Sequence, residues 1–239
     1  MPNFKPIIAP EIFALRPDFR ALSIRANEVE NTSATPVTET ALTRAFRERC
    51  AEPWAEAHRN AWREAYRSFG AKPQRTPCSA EALLRRAERD GSLPSVNAVV
   101  DLYNAVSLSH AVPVGGENVS AYVGLPRLVR ASGSESFETM QSGNPAIEVP
   151  EPGEVIWRDE RGATCRRWNW RQGTRTRIEV ATRDMWFVLE ALDPMPDTAL
   201  MRAGLDLVRG LRSLSPGCYF DSCLITKTGT TDLSARDFA

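Results

Sequence analysis

Asn97, Asp101 and Asn104 recur at spacings of four and three residues within Leu93–Asn118, LPSVNAVVDLYNAVSLSHAVPVGGEN. On a helix that spacing sets three short polar side chains on one face. Short polar side chains so placed on a rigid helix can form one wall of a pocket. Gly115 and Gly116, just beyond, can expose bare backbone amides beside that face, or simply turn the chain. Pro94 and Ser95 suit the start of this helix, and Pro113 ends it. Val99, Leu102, Tyr103 and Val106 recur as its buried face. The same pattern also fits an amphipathic helix with a solvated side and a turn after it.

A second stretch with chemical character is Cys165-Arg-Arg-Trp-Asn-Trp-Arg-Gln172. Read as one strand, it alternates Arg166, Trp168 and Trp170 with Cys165, Arg167, Asn169 and Arg171 on the other face. Arginine and tryptophan can sandwich a base or a side chain, or form an ordinary stacked sheet face. Arg85, Arg86 and Arg89 lie on the outer face of a helix over Ser79–Arg89. They fit a solvated surface or phosphate contacts with RNA. Lys72 to Arg75 form a basic connector before that helix. Cys218 and Cys223 fit buried small hydrophobes. His58 lies on an apolar helix face with Trp54, Ala61, Trp62, Ala65 and Phe69, the setting of a packed core histidine.

These pieces sit in a chain of 239 residues with 30 acidic and 30 basic side chains, so any RNA contact must use a local basic patch. No apolar run reaches membrane-spanning length and no signal-peptide pattern opens the chain; a cytoplasmic protein with no membrane partner and no DNA partner is expected. Five irregularly spaced cysteines argue against a disulfide framework, and two histidines without metal spacing argue against zinc. No cofactor and no metal are expected, since nucleotide-binding and hydrolase-elbow motifs are missing.

Short strands are expected at Phe4–Ile8, Ile12–Leu15 and Ala21–Ala26, with a loop over Asn31–Thr40. Helices are expected from Thr40 to Cys50 and from Pro53 to Phe69. Further strands are expected at Val119–Gly124 and Arg127–Ala131, then a loop over Ser132–Asn144. A hairpin turning at Asp159–Gly162 follows. Arg177–Ala181 and Met185–Ala191 read as strands, or a strand and a short helix. A helix from Asp197 to Leu211, a strand over Cys218–Ile225 and a tail complete the chain.

The order Asn97-Ala-Val-Val-Asp101-Leu-Tyr-Asn104, an apolar run, then Pro113-Val-Gly-Gly resembles the editing module of the phenylalanyl-tRNA synthetase beta subunit. There an Asn-x-Val-Val-Asp-x-x-Asn helix leads to a Pro-x-His-Ala-Phe-Asp loop. The resemblance is nearest to free-standing B3/B4 domain proteins, which carry a similar Cys-Arg-Arg-Trp-Asn-Trp-Arg-Gln stretch. It runs from about Ile7 to Asp193, and Phe187-Val-Leu-Glu190 is similar to the module's Val-x-Leu-Glu.

The resemblance implies an α+β fold of mixed and antiparallel sheets with flanking helices. It implies one B3/B4-like unit over 1–239, with a core at about 7–193 and a C-terminal extension at about 194–239. It implies hydrolysis of the ester joining a wrong amino acid to a tRNA 3′ end, acting in trans, with the tRNA acceptor end and an aminoacyl group as partners. The implied catalytic set is Asn104, Asp101, Gly115 and Gly116, with Asn104 or Asp101 orienting water or the terminal ribose and the backbone amides around Gly115 and Gly116 on the oxyanion. Asn97, Glu117, Asn118, Asn169, Arg171 and Glu190 would bind substrate, with Glu190 on the ammonium. Arg85, Arg86, Arg89, Arg166 and Arg167 would touch RNA. The family's loop histidine is replaced by Gly115, and its Phe-Asp by Glu117-Asn118. A non-catalytic module binding RNA or an amino acid is the competing class; a structural partner docking near Trp54 and Trp62 is a third.

Overall fold

In a computed structural model that describes residues 4–234, the chain alternates short strands and helices. In order these are β1 (Ile7–Ile8), α1 (Pro10–Leu15), β2 (Arg20–Asn27), α2 (Pro36–Arg47), α3 (Ala55–Ser68), α4 (Ser79–Asp90) and α5 (Ala98–His110). Then come β3 (Val114–Asn118), β4 (Arg127–Arg130), β5 (Phe137–Gln141), β6 (Asn144–Glu148), β7 (Val155–Arg158), β8 (Ala163–Arg166) and β9 (Arg171–Gln172). Finally come β10 (Met185–Ala191), α6 (Asp197–Leu214), β11 (Tyr219–Thr226) and β12 (Gly229–Leu233).

The sequence MWFVLEA of β10 is buried at every position, as a strand covered on both faces requires. It lies inside an antiparallel sheet ordered β12-β11-β2-β10-β3, with Phe187 opposite Ile24 on one side and Gly116 on the other. Period-two alternation divides its side chains. Phe187 and Leu189 pack with Val99 and Val106 of α5 and with Leu200 and Leu207 of α6. Trp186 and Val188 face the opposite way, toward Trp62 of α3 and toward Trp157 and Trp168. A second, mixed sheet ordered β1-β4-β7-β8-β5-β6, with β9 on β8, supplies Trp157 from β7 and Trp168 from the turn between β8 and β9. The architecture is therefore α+β with mixed and antiparallel sheets and flanking helices. Gly210 lets α6 lie close to α5: a Cβ there would meet Leu102 Cδ1 at 2.3 Å. No described helix is long and apolar enough to cross a membrane.

Several local expectations are corrected. Ile12–Leu15 belongs to α1, because Pro10 supplies a preset first turn. The Asn31–Thr40 loop ends early: Thr35 and Thr38 form a reciprocal cap that starts α2 at Pro36. Val119–Ala121 is one 3-10 turn, and Arg177–Ala181 joins no sheet. The expected loop over Ser132–Asn144 contains β5 and a two-residue turn at Ser142-Gly143, both with positive φ, leading into β6. The expected tail after Thr226 folds back as β12.

Candidate functional site

The open edge of β3 faces a cavity of about 270 Å³, closed by α4, α5, the β8–β9 turn and the Trp186 face of β10. Four tryptophans line it: Trp157, Trp168, Trp170 and Trp186. Two carboxylates, Glu117 and Glu190, share this wall with them. They lie on the same sheet face, with Glu117 opposite Trp186 and Glu190 four residues further along β10.

Glu190 is 1% exposed. Its Oε1 accepts from Trp157 Nε1 at 3.1 Å and its Oε2 from Asn169 Nδ2 at 2.8 Å. Asn169 is fixed in turn by Tyr66, whose hydroxyl donates to its Oδ1 at 2.8 Å. Burial pushes the Glu190 carboxyl up to about 8, against the pull of these donors. The buried Trp168 Nε1 lies close enough to favour the charged form but makes no hydrogen bond. Burial likewise pushes Glu117 up to about 7, although the Tyr122 hydroxyl donates to its Oε2. An arriving cation would favour the charged form of Glu190, with tryptophan side chains lining the same cavity.

The two glycines are in strand β3, not in a loop. Glu190 N–H donates to Pro113 O and Val119 N–H to Asp184 O, which fixes the alternation of the β3–β10 ladder. Gly115 N–H therefore points into the ladder, and the expected pair of free amides is reduced to Gly116 N–H on the open edge. On that same edge Gln172 Nε2 donates to Gly116 O at 2.8 Å. Gly116 is required for packing: a Cβ would stand 2.8 Å from Tyr103 Cε1.

The Trp-Asn-Trp stretch is a turn rather than continuous strand. Cys165 pairs with Gln172 and Arg166 with Arg171, leaving four residues between. Arg167 and Trp168 adopt φ of 48° and 66°, a left-handed conformation costly for non-glycine residues. It turns Trp168 and Asn169 inward together, which strand alternation forbids. Both residues are buried against the cavity.

Asn104, Gly115, Gly116, Glu117, Asn169, Glu190 and Arg86 line the cavity. Asp101 does not. It accepts from the Ser95 hydroxyl and from Val96 N–H at 2.9 Å, so it closes the turn before α5. Asn97 caps α5, accepting from Val100 N–H at 3.0 Å and donating to Ile178 O at 3.2 Å. Asn118 accepts from Ser120 N–H at 3.0 Å, outside the cavity. These three polar groups serve nearby backbone, so neither water orientation by Asp101 nor substrate binding by Asn97 and Asn118 fits. Arg171 is held by Glu148 at 2.5 Å instead of lining the wall.

Arg166 is buried between Glu148 at 2.6 Å and Glu154 at 2.7 Å, so it cannot reach RNA. Arg85 is held by Glu81 at 2.5 Å. Arg86 and Arg89 both face Asp90, at 3.8 and 2.7 Å. Arg167 stacks on Trp170, 4.5 Å from its centroid. His58 is packed core: Nδ1 faces Ala111 O at 3.0 Å, while Nε2 accepts from Trp62 Nε1 and Leu192 N–H. Burial lowers it to about 4, so it is neutral. No cluster of three or more potential metal ligands occurs among the described residues.

Trp157, Tyr103, Gln172 and Tyr66 complete the site and were not singled out as site residues from the sequence. Gln172 had a signal, since it ends the Trp-Asn-Trp-Arg-Gln stretch. Tyr66 and Trp157 had none, because their partners lie 103 and 33 residues away.

No curated protein matches the chain. The fold is similar to an N-terminal fragment of the phenylalanyl-tRNA synthetase beta-subunit from Pyrococcus horikoshii, at 9% identity and a TM-score of 0.51. The alignment covers 98% of this chain and 57% of that one, so this chain spans little more than half its length. Residues 61–201 match the B3/4 domain family, and every cavity-lining residue from Ser79 to Glu190 falls within that match. With more than half of its length and its whole cavity inside the matched segment, the chain belongs to the B3/4 domain family.

Proposed function

We propose that the protein hydrolyses mischarged aminoacyl-tRNA in trans, in the cytoplasm, with the cavity beside β3 receiving the aminoacyl group. The observation that carries this reading is Glu190: a buried carboxylate, held by two side-chain donors, among four tryptophans in a cavity of amino-acid size. An α-ammonium entering there would stabilise its charged form and gain contact with the aromatic faces. Gly116 N–H and the Asn104 carboxamide, from residues that line the same cavity, supply donors for the oxyanion.

Glu117 takes the water-orienting role for which the resemblance offered Asn104 or Asp101. A carboxyl pushed up to about 7 is suited to general-base work at neutral pH. The water oxygen bonds to the ester carbonyl carbon as its proton passes to Glu117. The carbon–O3′ bond then breaks, and the ribose oxygen takes that proton. Free amino acid and tRNA leave. The tryptophan wall sorts side chains by shape. The C-terminal helix and strands are taken as an extension of one B3/B4-like unit, because β11 pairs with β2 within the same sheet as β3.

The test is release of amino acid from a panel of correctly and incorrectly charged tRNAs, with Asn104→Ala and Glu190→Ala alongside. Selective release that both variants lose supports hydrolysis. Release at the buffer rate across the panel rejects it. The occupation of Asp101 by local backbone favours the competing reading, a module that binds an aminoacyl group without cleaving it. Retained tRNA binding without release would select that reading.

A further inference from the structure

Behind the β8–β9 turn lies a second cavity, of about 290 Å³, which the aminoacyl reading leaves unused. Its wall carries Lys72 and Arg75 from the α3–α4 connector and Arg167 from the turn. Among the described residues Lys72 and Arg75 make no ion pair. Both are exposed. Arg167 comes no nearer than 3.9 Å to Glu154, which is already engaged by Arg166 at 2.7 Å and by Arg167 N–H at 3.0 Å. Stacking on Trp170 fixes its guanidinium in place. Glu151 is the remaining acid in the groove, leaving three cations against one carboxylate that is not already paired. The α4 arginines differ, for each faces Glu81 or Asp90.

Arg167 borders this groove, while Trp168, Asn169 and Trp170 border the aminoacyl cavity, so the two share a wall one turn thick. Resting on the function proposed above, we propose that Lys72, Arg75 and Arg167 form a phosphodiester subsite for the acceptor strand of tRNA. It would hold the backbone next to the terminal nucleotide while the aminoacyl group enters beside Glu190. Guanidinium and ammonium groups aimed into one groove bind phosphate oxygens without reading sequence, so the subsite would serve more than one tRNA. RNA contact thus moves from α4 to the α3–α4 connector and the turn.

The test measures uncharged tRNA binding as a function of salt, which reads phosphate contacts whether or not hydrolysis occurs. Lys72→Gln, Arg75→Gln and Arg167→Gln are made singly and together, with Arg209→Gln on α6 as the control. Each groove variant should lower the slope of log K against log salt by about 0.7–0.9, and the triple variant should weaken binding by about 10-fold or more. Release from a 3′-aminoacyl-adenosine, which has no acceptor strand to bind, should be unchanged in the single variants at Lys72 and Arg75. Slopes equal to that of the parent, or a wild-type protein that binds no tRNA, would overturn the subsite. Tight, groove-dependent tRNA binding without ester release would keep the subsite and reject hydrolysis. Equal weakening by Arg209→Gln would also overturn it, since binding would then be spread over the surface.

Discussion

Asp101 and Glu190 are both 1% exposed, yet they do different work. Asp101 stands at the head of α5 and accepts from the two residues at positions 95 and 96, a few steps back along its own chain. Glu190 stands on β10 and accepts from Trp157 and Asn169, on other strands and turns. Local donors close a turn and use up the carboxylate. Distant donors suspend a carboxylate in a cavity, where a ligand can still reach it. Chemical type is shared; what separates the two is that Glu190 lines the cavity and Asp101 does not.

The comparison is broken most directly at Glu190. Glu190→Gln keeps the shape and two polar atoms, and ester release should fall by about 10²-fold with the fold retained. Asp101→Ala should do the reverse. Chemical denaturation should show a loss of about 1–3 kcal/mol, because a part-buried backbone N–H and a hydroxyl lose their charged acceptor, while release per folded molecule changes little.

Gly116→Ala sits between the two. The Cβ would press on the Tyr103 ring at 2.8 Å, and overpacking of that kind costs about 1–3 kcal/mol. Release should fall with it, as the free amide on the strand edge shifts.

The smallest effect is on pH dependence. Glu190 carries a folded pKa of about 8 against 4.5 in the unfolded chain, so the folded state binds the extra proton between these values. Its contribution to stability is full below 4.5 and is lost as pH rises through 8. His58, lowered to about 4 from 6.5, works in the opposite direction over its own range. Above about pH 7, where His58 is neutral in both states, Tm should therefore fall as pH rises toward 8, and Glu190→Gln should flatten that slope.

The helix α4 was legible to within a residue from its apolar spacing and Gly91, although it ends at Asp90 and its N-cap is Cys78, with Ser79 Oγ making no hydrogen bond. Met185–Ala191 was legible as an apolar run bounded by polar residues, a pattern that leaves strand or short helix open until pairing with β2 and β3 decides for the strand. The α5 stripe was legible as a face, but spacing could not say that Asn97 and Asp101 turn to backbone before the cavity begins. The Trp-Asn-Trp turn was misread as strand because its left-handed residues are Arg167 and Trp168, where no glycine or asparagine announces positive φ. Glu117 was placed in the site from sequence, but its suitability as a base comes from burial beside Tyr122, a tertiary fact.

The most direct measurement of the central claim is binding of a non-hydrolysable 3′-aminoacylamido-adenosine panel, each member compared with its N-acetylated form. Acetylation removes the ammonium and leaves the rest. In the wild-type protein the free amine should bind more tightly than the acetylated form, and Glu190→Gln should erase that difference. Equal affinity for both forms, or a preference that survives Glu190→Gln, would contradict the assignment of Glu190 to the ammonium.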